Sequence, residues 1–566
     1  MRNAVHGLRL AAATAMAAVL LAGCSSLRNA GQLVADCPKL AGRIVPPAGI
    51  GLASGPARVT SAVLVPAAAA SGAAPATPQM CRVLGEIAPV GATAQPIRFQ
   101  LNLPTTWNGK ALQYGGGGFN GVLVTGLAPL RDAAPSDPLP VTRGYATFGT
   151  DSGHQASAWP AGEPGAFTLD DEMLENFAYA SYKKVRDVAA QLVHRYYGTP
   201  PARMYYFGGS EGGREGLAMA QRFPRDYDGI VSVVPVINWT GLFHAFVRNQ
   251  LPQFGDWLEP AKSALVARAV AQACDALDGL ADGVVNNPLA CQPRVDLRPL
   301  RCPDGNDAGA QCLSDAELAL LRSIHSPFEF PFSLANGITV YPPWLYGHED
   351  SPDGTAAHLA RWVSGTAPPA VPPDAARNSV QWLYGSNWIR YAIARDSDFD
   401  VRNYRIEYWR ARVLHTSGLM DATNPDLSAF FAKGGKLIVR ENAGDRAQSA
   451  LMGIHYVDAV RARVKPAVAD ASMRLYVSPS STHAGSARVV GGQAPVPTMV
   501  DLLDPLDRWV EKGTAPPDAL VQVVQAPRPP FAVQASRPLC RHPGYPHYVR
   551  GDRLQASSYE CRTPQP

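Results

Sequence analysis

No block of lysines and arginines occurs anywhere in the 566 residues. The 51 basic residues stand against 47 acidic ones, and the net charge of +4 is spread along the whole chain. Such a balance gives no case for nucleic acid as a partner. No Cys-x-x-Cys occurs either, which removes zinc-ribbon and thioredoxin-like readings. The apolar run Leu10 to Ala22 is too short to cross a bilayer as a mature helix. Charged residues are scarce at 17% beside 46% hydrophobic ones, a globular composition and not a disordered one. Glycine and proline, at 51 each, predict many loops. A chain this long exceeds one ordinary core and predicts two domains or a domain with a large insertion.

The first residues read as a targeting segment. Arg2 and Arg9 supply positive charge ahead of the short apolar run. Leu21, Ala22, Gly23 and Cys24 resemble the lipobox of bacterial lipoproteins, which implies a signal peptide over 1–23 and lipidation of Cys24. Residues 24–36 then read as a tether. Ser25 after the cysteine favours the outer membrane, and without the lipid the protein is expected in the periplasm or secreted. Beyond that anchor no membrane contact is expected. Export makes the remaining eight of the nine cysteines candidates for disulfides: Cys37, Cys81, Cys274, Cys291, Cys302, Cys312, Cys540 and Cys561. Sequence alone does not choose their pairing, and nearest neighbours are the simplest arrangement.

Chemistry enters at Met204 to Gly216. An apolar run, Met204 to Phe207, reads as a buried strand, and Arg214 to Arg222 reads as a helix. Between them lies Gly-x-Ser-x-Gly, at Gly208, Ser210 and Gly212. Strand, glycine turn and helix in that order are the context of a nucleophile elbow. The Glu211 N–H would open the helix, aimed at a developing oxyanion.

Upstream, Ile97 to Leu103 alternates as a half-buried strand. Ala111 to Tyr114 is another strand, running into Gly115 to Gly118. No Gly-Lys-Ser/Thr follows, so a phosphate cradle is set aside, and the loop suits a second oxyanion donor. Tyr145 to Thr150 is a further strand, and Asp170 to Tyr197 predicts one long amphipathic helix. Ile230 to Val234 reads as a strand covered on both faces. The alternation predicts an α/β fold: an α/β-hydrolase core over 37–235 and 405–566, with a large inserted lid domain over 236–404. Core character returns in the strands Gly435 to Val439 and Arg474 to Val477. Asp445 follows the first and His483 the second, at the strand ends that line an active site. Ser210, Asp445 and His483 thus stand in the Ser…Asp…His order. Asp421 and Asp426 precede their strand, and His455 and His415 lie in less favourable places.

Several segments together resemble the tannase/feruloyl esterase family, which also includes mono(hydroxyethyl) terephthalate hydrolase. They are Tyr114 to Gly121, Asp151 to His154, Gly208 to Arg214, Gln221 to Pro224, Asp421 to Phe430, Gly434 to Ile438 and Trp509 to Gly513. The resemblance implies a serine esterase acting on small esters of aromatic acids, of feruloyl, galloyl or terephthaloyl type, through an acyl-enzyme. It gives Ser210, Asp445 and His483 the triad roles, and Gly117 and Glu211 the oxyanion N–H groups. It also implies structural calcium in the lid, held by Asp275, Asp278 and Asp282 through side chains and by Leu280 and Val284 through carbonyls. Three carboxylates and two glycines in that stretch can wrap a hard cation. The family usually bridges two cysteines beside the nucleophile and the histidine, where this chain has Gly209 and Ala484. Those two residues are therefore expected to lie close together, with packing alone holding His483 on Ser210. Glu441 also replaces a common histidine. A lipase- or peptidase-like serine hydrolase, or a weakly active binding protein on the same fold, are the alternatives.

Overall fold

The computed structural model describes residues 28–72 and 74–564. The signal peptide and Cys24 lie outside these residues. Ten strands form one sheet. The first six are β1 Ile44–Val45, β2 Ala57–Val65, β3 Met80–Ile87, β4 Ile97–Pro104, β5 Lys110–Tyr114 and β6 Ala146–Thr150. The last four are β7 Arg203–Gly209, β8 Gly229–Val233, β9 Lys436–Asn442 and β10 Met473–Ser478. Their spatial order is β1-β2-β3-β4-β6-β5-β7-β8-β9-β10. Pairings from β6 across to β10 are parallel, and those from β1 to β6 are antiparallel.

The two-residue period of a strand decides what each face buries. Met204, Tyr206, Ile230, Leu437 and Val439 join one apolar cluster, under helices α2 (Ser181–Tyr197), α3 (Glu211–Arg222) and α6 (Ala450–Val464). Tyr205, Phe207, Val231, Val233 and Ile438 join another on the opposite face, under α7 (Leu503–Lys512). Helices on both faces of a parallel sheet are the α/β-hydrolase arrangement, as the sequence implies.

Two expectations change. The helix expected over Asp170–Tyr197 contains a wider π turn at Asn176–Ala180 between Asp171–Glu175 and α2. The carbonyls of Phe177 and Ala178, in that turn, accept from the buried Arg214 guanidinium. Residues 28–36 are no free tether. Ala30–Asp36 is a helix, α1, with a capping box between Asn29 and Gln32, and it buries Leu33 in the core. The next residue, Cys37, is bonded to Cys81.

All four disulfides join sequence neighbours: Cys37–Cys81, Cys274–Cys291, Cys302–Cys312 and Cys540–Cys561. The segment 236–404 opens with α4 (Trp239–Gln250) and continues in short helices and loops. Its core is rich in aromatics and includes Phe119, Phe167 and Phe177 from the first part of the chain. The insertion is thus packed down on the sheet domain over a shared cluster. Helix α5 (Arg410–Met420) leads the chain back into the sheet.

Candidate active site

Ser210 sits between β7 and α3 with φ 60° and ψ −124°, a backbone that non-glycine residues rarely adopt. Its N–H donates to the Val233 carbonyl at 2.9 Å, and its own carbonyl accepts from Gly213 at 3.0 Å. The flanking glycines are required by contact. A Cβ on Gly208 would overlap the Gly212 carbonyl, and one on Gly212 would lie 2.6 Å from the Gly116 carbonyl. The serine is therefore held out from the sheet edge by its own strand and helix.

The structure brings the three predicted side chains together. His483 Nε2 is 2.9 Å from Ser210 Oγ, and His483 Nδ1 is 2.6 Å from Asp445 Oδ2. Asp445 follows β9 and is buried, and its other oxygen accepts from the N–H groups of Ala447 and Gln448 at 2.6 and 3.2 Å. With the carboxylate on Nδ1, that nitrogen carries the proton, and Nε2 is left to accept from the serine. The rivals serve elsewhere. Asp421 accepts from the Thr240 N–H at 2.8 Å at the start of α4, and Asp426 pairs with Arg463 at 2.8 Å. His415 lies within α5 and His455 within α6.

Sequence reasoning missed the groups that surround His483. The Trp362 ring meets the imidazole edge-on, at 5.3 Å between centroids. Trp362 donates its indole N–H to Asp353 at 2.6 Å, and Asp353 in turn accepts from the Ala484 N–H at 3.0 Å. His358, kept neutral because burial holds its pKa well below the usual range, accepts from the His483 N–H at 3.3 Å. These three come from the insertion, in a stretch with no motif to mark it.

The glycine loop is tied to helix α3. Glu215 accepts from the Gly116 N–H at 3.0 Å, from Asn120 Nδ2 at 2.8 Å and from the Tyr206 hydroxyl at 2.5 Å. One expectation shifts here. The Gly117 N–H is taken by the Asn120 side chain, and Gly118 is the glycine that borders the cavity at Ser210. Glu211 is fully buried against Arg214, whose Nε lies 2.8 Å from its carboxylate. Burial raises the Glu211 carboxyl, and the guanidinium opposes that rise. A narrow cavity of about 20 Å³ lies beside Ser210 and Gly118, walled by Trp239, Phe243, Trp362 and Tyr384. Glu211 is the one charged residue in its lining, and its charge is already paired.

At the proposed calcium loop, Asp275 accepts from the N–H groups of Asp282, Gly283 and Val284 at 3.3, 2.8 and 3.1 Å. Asp278 accepts from the Leu280 N–H at 3.1 Å and from Asn286. Asp282 pairs with Arg537 at 3.2 Å, and its second oxygen is buried without a partner. Burial, with the neighbouring Asp282 charge adding to it, pushes the Asp278 carboxyl up to about 7. Among the described residues no group of three or more His, Cys, Asp or Glu is gathered as a metal cluster. The observation that fits a cation at this loop is the orphaned, buried Asp282 oxygen.

A parallel sheet with a strained serine at a strand–helix turn defines the α/β-hydrolase class. A family model described as tannase and feruloyl esterase matches residues 81–562, and the chain belongs to that family. It is a carboxylic ester hydrolase. An uncharacterized esterase of Agrobacterium fabrum is 33% identical over 539 residues, covering 93% of this chain and 92% of its own. Mono(2-hydroxyethyl) terephthalate hydrolase of Piscinibacter sakaiensis is 30% identical over 552 residues, covering 88% and 87%. Among solved structures, feruloyl esterase B from Aspergillus oryzae shares the fold at a TM-score of 0.72 and 23% identity, over 94% of this chain and all of that one.

Proposed function

We propose that this esterase hydrolyses carboxylic esters of aromatic acids by a Ser210–His483–Asp445 relay through an acyl-enzyme. The observation that carries the reading is the trio's geometry opening onto an aromatic-walled cavity. Ser210 Oγ attacks the ester carbonyl carbon while His483 Nε2 takes its proton, and Asp445 stabilises the imidazolium. The oxyanion is met by the Glu211 N–H at the helix start, and by the glycine loop at Gly118. Collapse breaks the bond to the alcohol, which leaves with the proton from His483. Water then repeats the sequence on the acyl-serine.

The cavity favours one part of the substrate range. The walls beside Ser210 are aromatic and aliphatic, and no cation stands in the lining to meet a carboxylate on the acyl part. Burying such a charge unpaired is costly, and so is each unmatched hydroxyl. Feruloyl-type acyl groups are therefore favoured over galloyl, and galloyl over a terephthalate monoester. The aromatic walls favour this reading over the lipase- and peptidase-like alternatives. Calcium, held by Asp275, Asp278, Asp282 and the carbonyls of Leu280 and Val284, would brace the insertion away from the chemistry. Lipid on Cys24 would hold the exported protein at the cell envelope; the four disulfides fit an oxidising compartment. Among the described residues no helix is long and apolar enough to cross a membrane.

The test is a fluorophosphonate label on wild type and Ser210→Ala, with a panel of ferulate, gallate, terephthalate-monoester and short acyl esters. Ser210→Ala should lose the label and roughly 10⁶-fold in kcat. Undiminished labelling of that variant would remove the reading, and a preference for the charged monoester would overturn the substrate order.

A further inference from the structure

The Arg131 side chain lies between the strand that precedes Ser210 and the loop that carries His483. A Cβ on Gly209, the residue before the nucleophile, would overlap Arg131 Cδ and lie 3.0 Å from its Nε. The arginine stem is thus pressed flat on the bare Gly209 backbone. At its far end the guanidinium donates to the backbone carbonyl of His483. One side chain touches the residue beside the nucleophile and the residue that bears the general base. Packing alone was the expectation here; the structure adds a hydrogen-bonded wedge.

Arg131 is itself anchored. Its neighbour Asp132, at φ 61°, pairs with Arg440 of β9 at 2.9 Å, and both groups are buried. The Asp132 carbonyl accepts from Val500 at 2.8 Å. Asp132 also presses on the histidine loop, since a Cβ on Gly485 would overlap its carboxylate. Among the described residues no carboxylate pairs with Arg131, and the one acceptor of its guanidinium is the His483 carbonyl. Asp445 sets the rotation of the imidazole through Nδ1, but it does not set where the loop carrying that ring sits. The Arg131 side chain, lying on Gly209 and bonded to the His483 carbonyl, does so together with Asp353 and His358.

We propose that Arg131 is a positioning residue of the esterase reaction, wedged on Gly209 and bonded to the His483 carbonyl so that His483 Nε2 stays within reach of Ser210 Oγ. The proposal rests on the relay described above. It makes Arg131 a non-covalent substitute for a crosslink between the positions of Gly209 and Ala484.

The experiment pairs removal with replacement. Arg131→Ala should lower kcat about ten- to hundredfold, the scale of a small misplacement of reacting groups, with KM changed by less than about twofold. Arg131→Lys, which keeps the stem and one charge, should fall between. With Arg131→Ala freeing the space, adding Gly209→Cys and Ala484→Cys should permit a disulfide, seen by mass. Its oxidation should restore kcat to within about threefold of wild type, and mild reductant should abolish that rescue while leaving the wild type active. The proposal is overturned by an Arg131→Ala enzyme with normal kcat, by a loss confined to KM, or by a loss that only follows the unfolded fraction. It is equally overturned if the triple variant fails to crosslink, or crosslinks without recovering. Complete fluorophosphonate labelling of Arg131→Ala at long times keeps the outcome separate from a failure of Ser210 as nucleophile.

Discussion

Ser210 and His483 are 273 residues apart in sequence and 2.9 Å apart in space, and they are held there in different ways. The serine is placed by regular backbone: β7 paired on both sides, the first turn of α3, and glycines that allow the turn. The histidine rides on a loop beyond β10. Its position depends on Asp445, on Asp353, His358 and Trp362 from the insertion, and on Arg131 from a loop before β6. Local rules place the serine, whereas long-range side chains place the histidine. Damage on the serine side should be all-or-none. On the histidine side it should be graded by how directly each support acts.

Asp445→Asn is the strongest test of that gradation. An amide keeps the shape but reverses the tautomer preference at Nδ1, and kcat should fall by roughly 10⁴-fold. Asp421→Asn, made in the same way on the rival acid, should leave kcat within about tenfold of wild type. Steady-state rates on a single aromatic ester decide it. Equal losses at both positions would mean that Asp445 is not the orienting acid.

The same division explains what could be read in the sequence. Every sheet strand from β4 to β10 was marked by an apolar run or by alternation, but β4, expected half-buried, is covered on both faces, with Gln100 and Asn102 buried. The elbow was marked by its glycines, and Asp445 and His483 by falling just past strands. Arg131, Asp353 and Trp362 carried no signal, since nothing local distinguishes an arginine that reaches a carbonyl 352 residues away. Asn120 was visible within the glycine loop, but its capture of the Gly117 N–H required the fold of that loop. The helix Ala30–Asp36 was hidden for a similar reason: one buried leucine and a capping box are too little pattern beside a targeting segment.

Glu215 sharpens the serine side, because it ties the glycine loop to α3. Glu215→Gln would place an amide donor against the Gly116 N–H, Asn120 Nδ2 or the Tyr206 hydroxyl, all of which donate. The loop should shift, and kcat should fall about 10²-fold, the loss typical of one oxyanion donor. A rate within about threefold of wild type would show that the loop holds itself without the helix.

Calcium would act further from the chemistry. If the loop Asp275–Val284 binds it, a chelator should lower the melting temperature by a few degrees, by linkage, and leave the rate of the folded enzyme nearly unchanged. Metal analysis of the purified protein and calorimetry with and without chelator provide the check. No bound calcium and an unchanged melting temperature would leave the loop as a hydrogen-bonded acidic turn.

The smallest effect is expected at Asp421, where a buried acid joins the insertion to the sheet domain. It caps the start of α4 through the Thr240 N–H and accepts from the Ser417 hydroxyl in α5. Burial outweighs these donors and pushes its carboxyl from the ordinary 3.8 up to about 6. The folded protein thus holds this proton more tightly than the unfolded chain. Its contribution to stability is fully present below about pH 4 and is lost as pH rises through about 6. A shift of this size corresponds to on the order of 3 kcal/mol at most. An asparagine can still accept from Thr240, and its amide can donate to Ser417, so Asp421→Asn should fold with the join intact. It should lack only the titration. Denaturant unfolding at pH 4.5 and at pH 7 should therefore show the variant gaining on wild type as the pH rises, with kcat little altered at either pH. A stability difference that stays constant between the two would mean that Asp421 is ionised throughout. The join would then be held by a charged cap, and the acid's distance from His483 would be all that separates its role from that of Asp445.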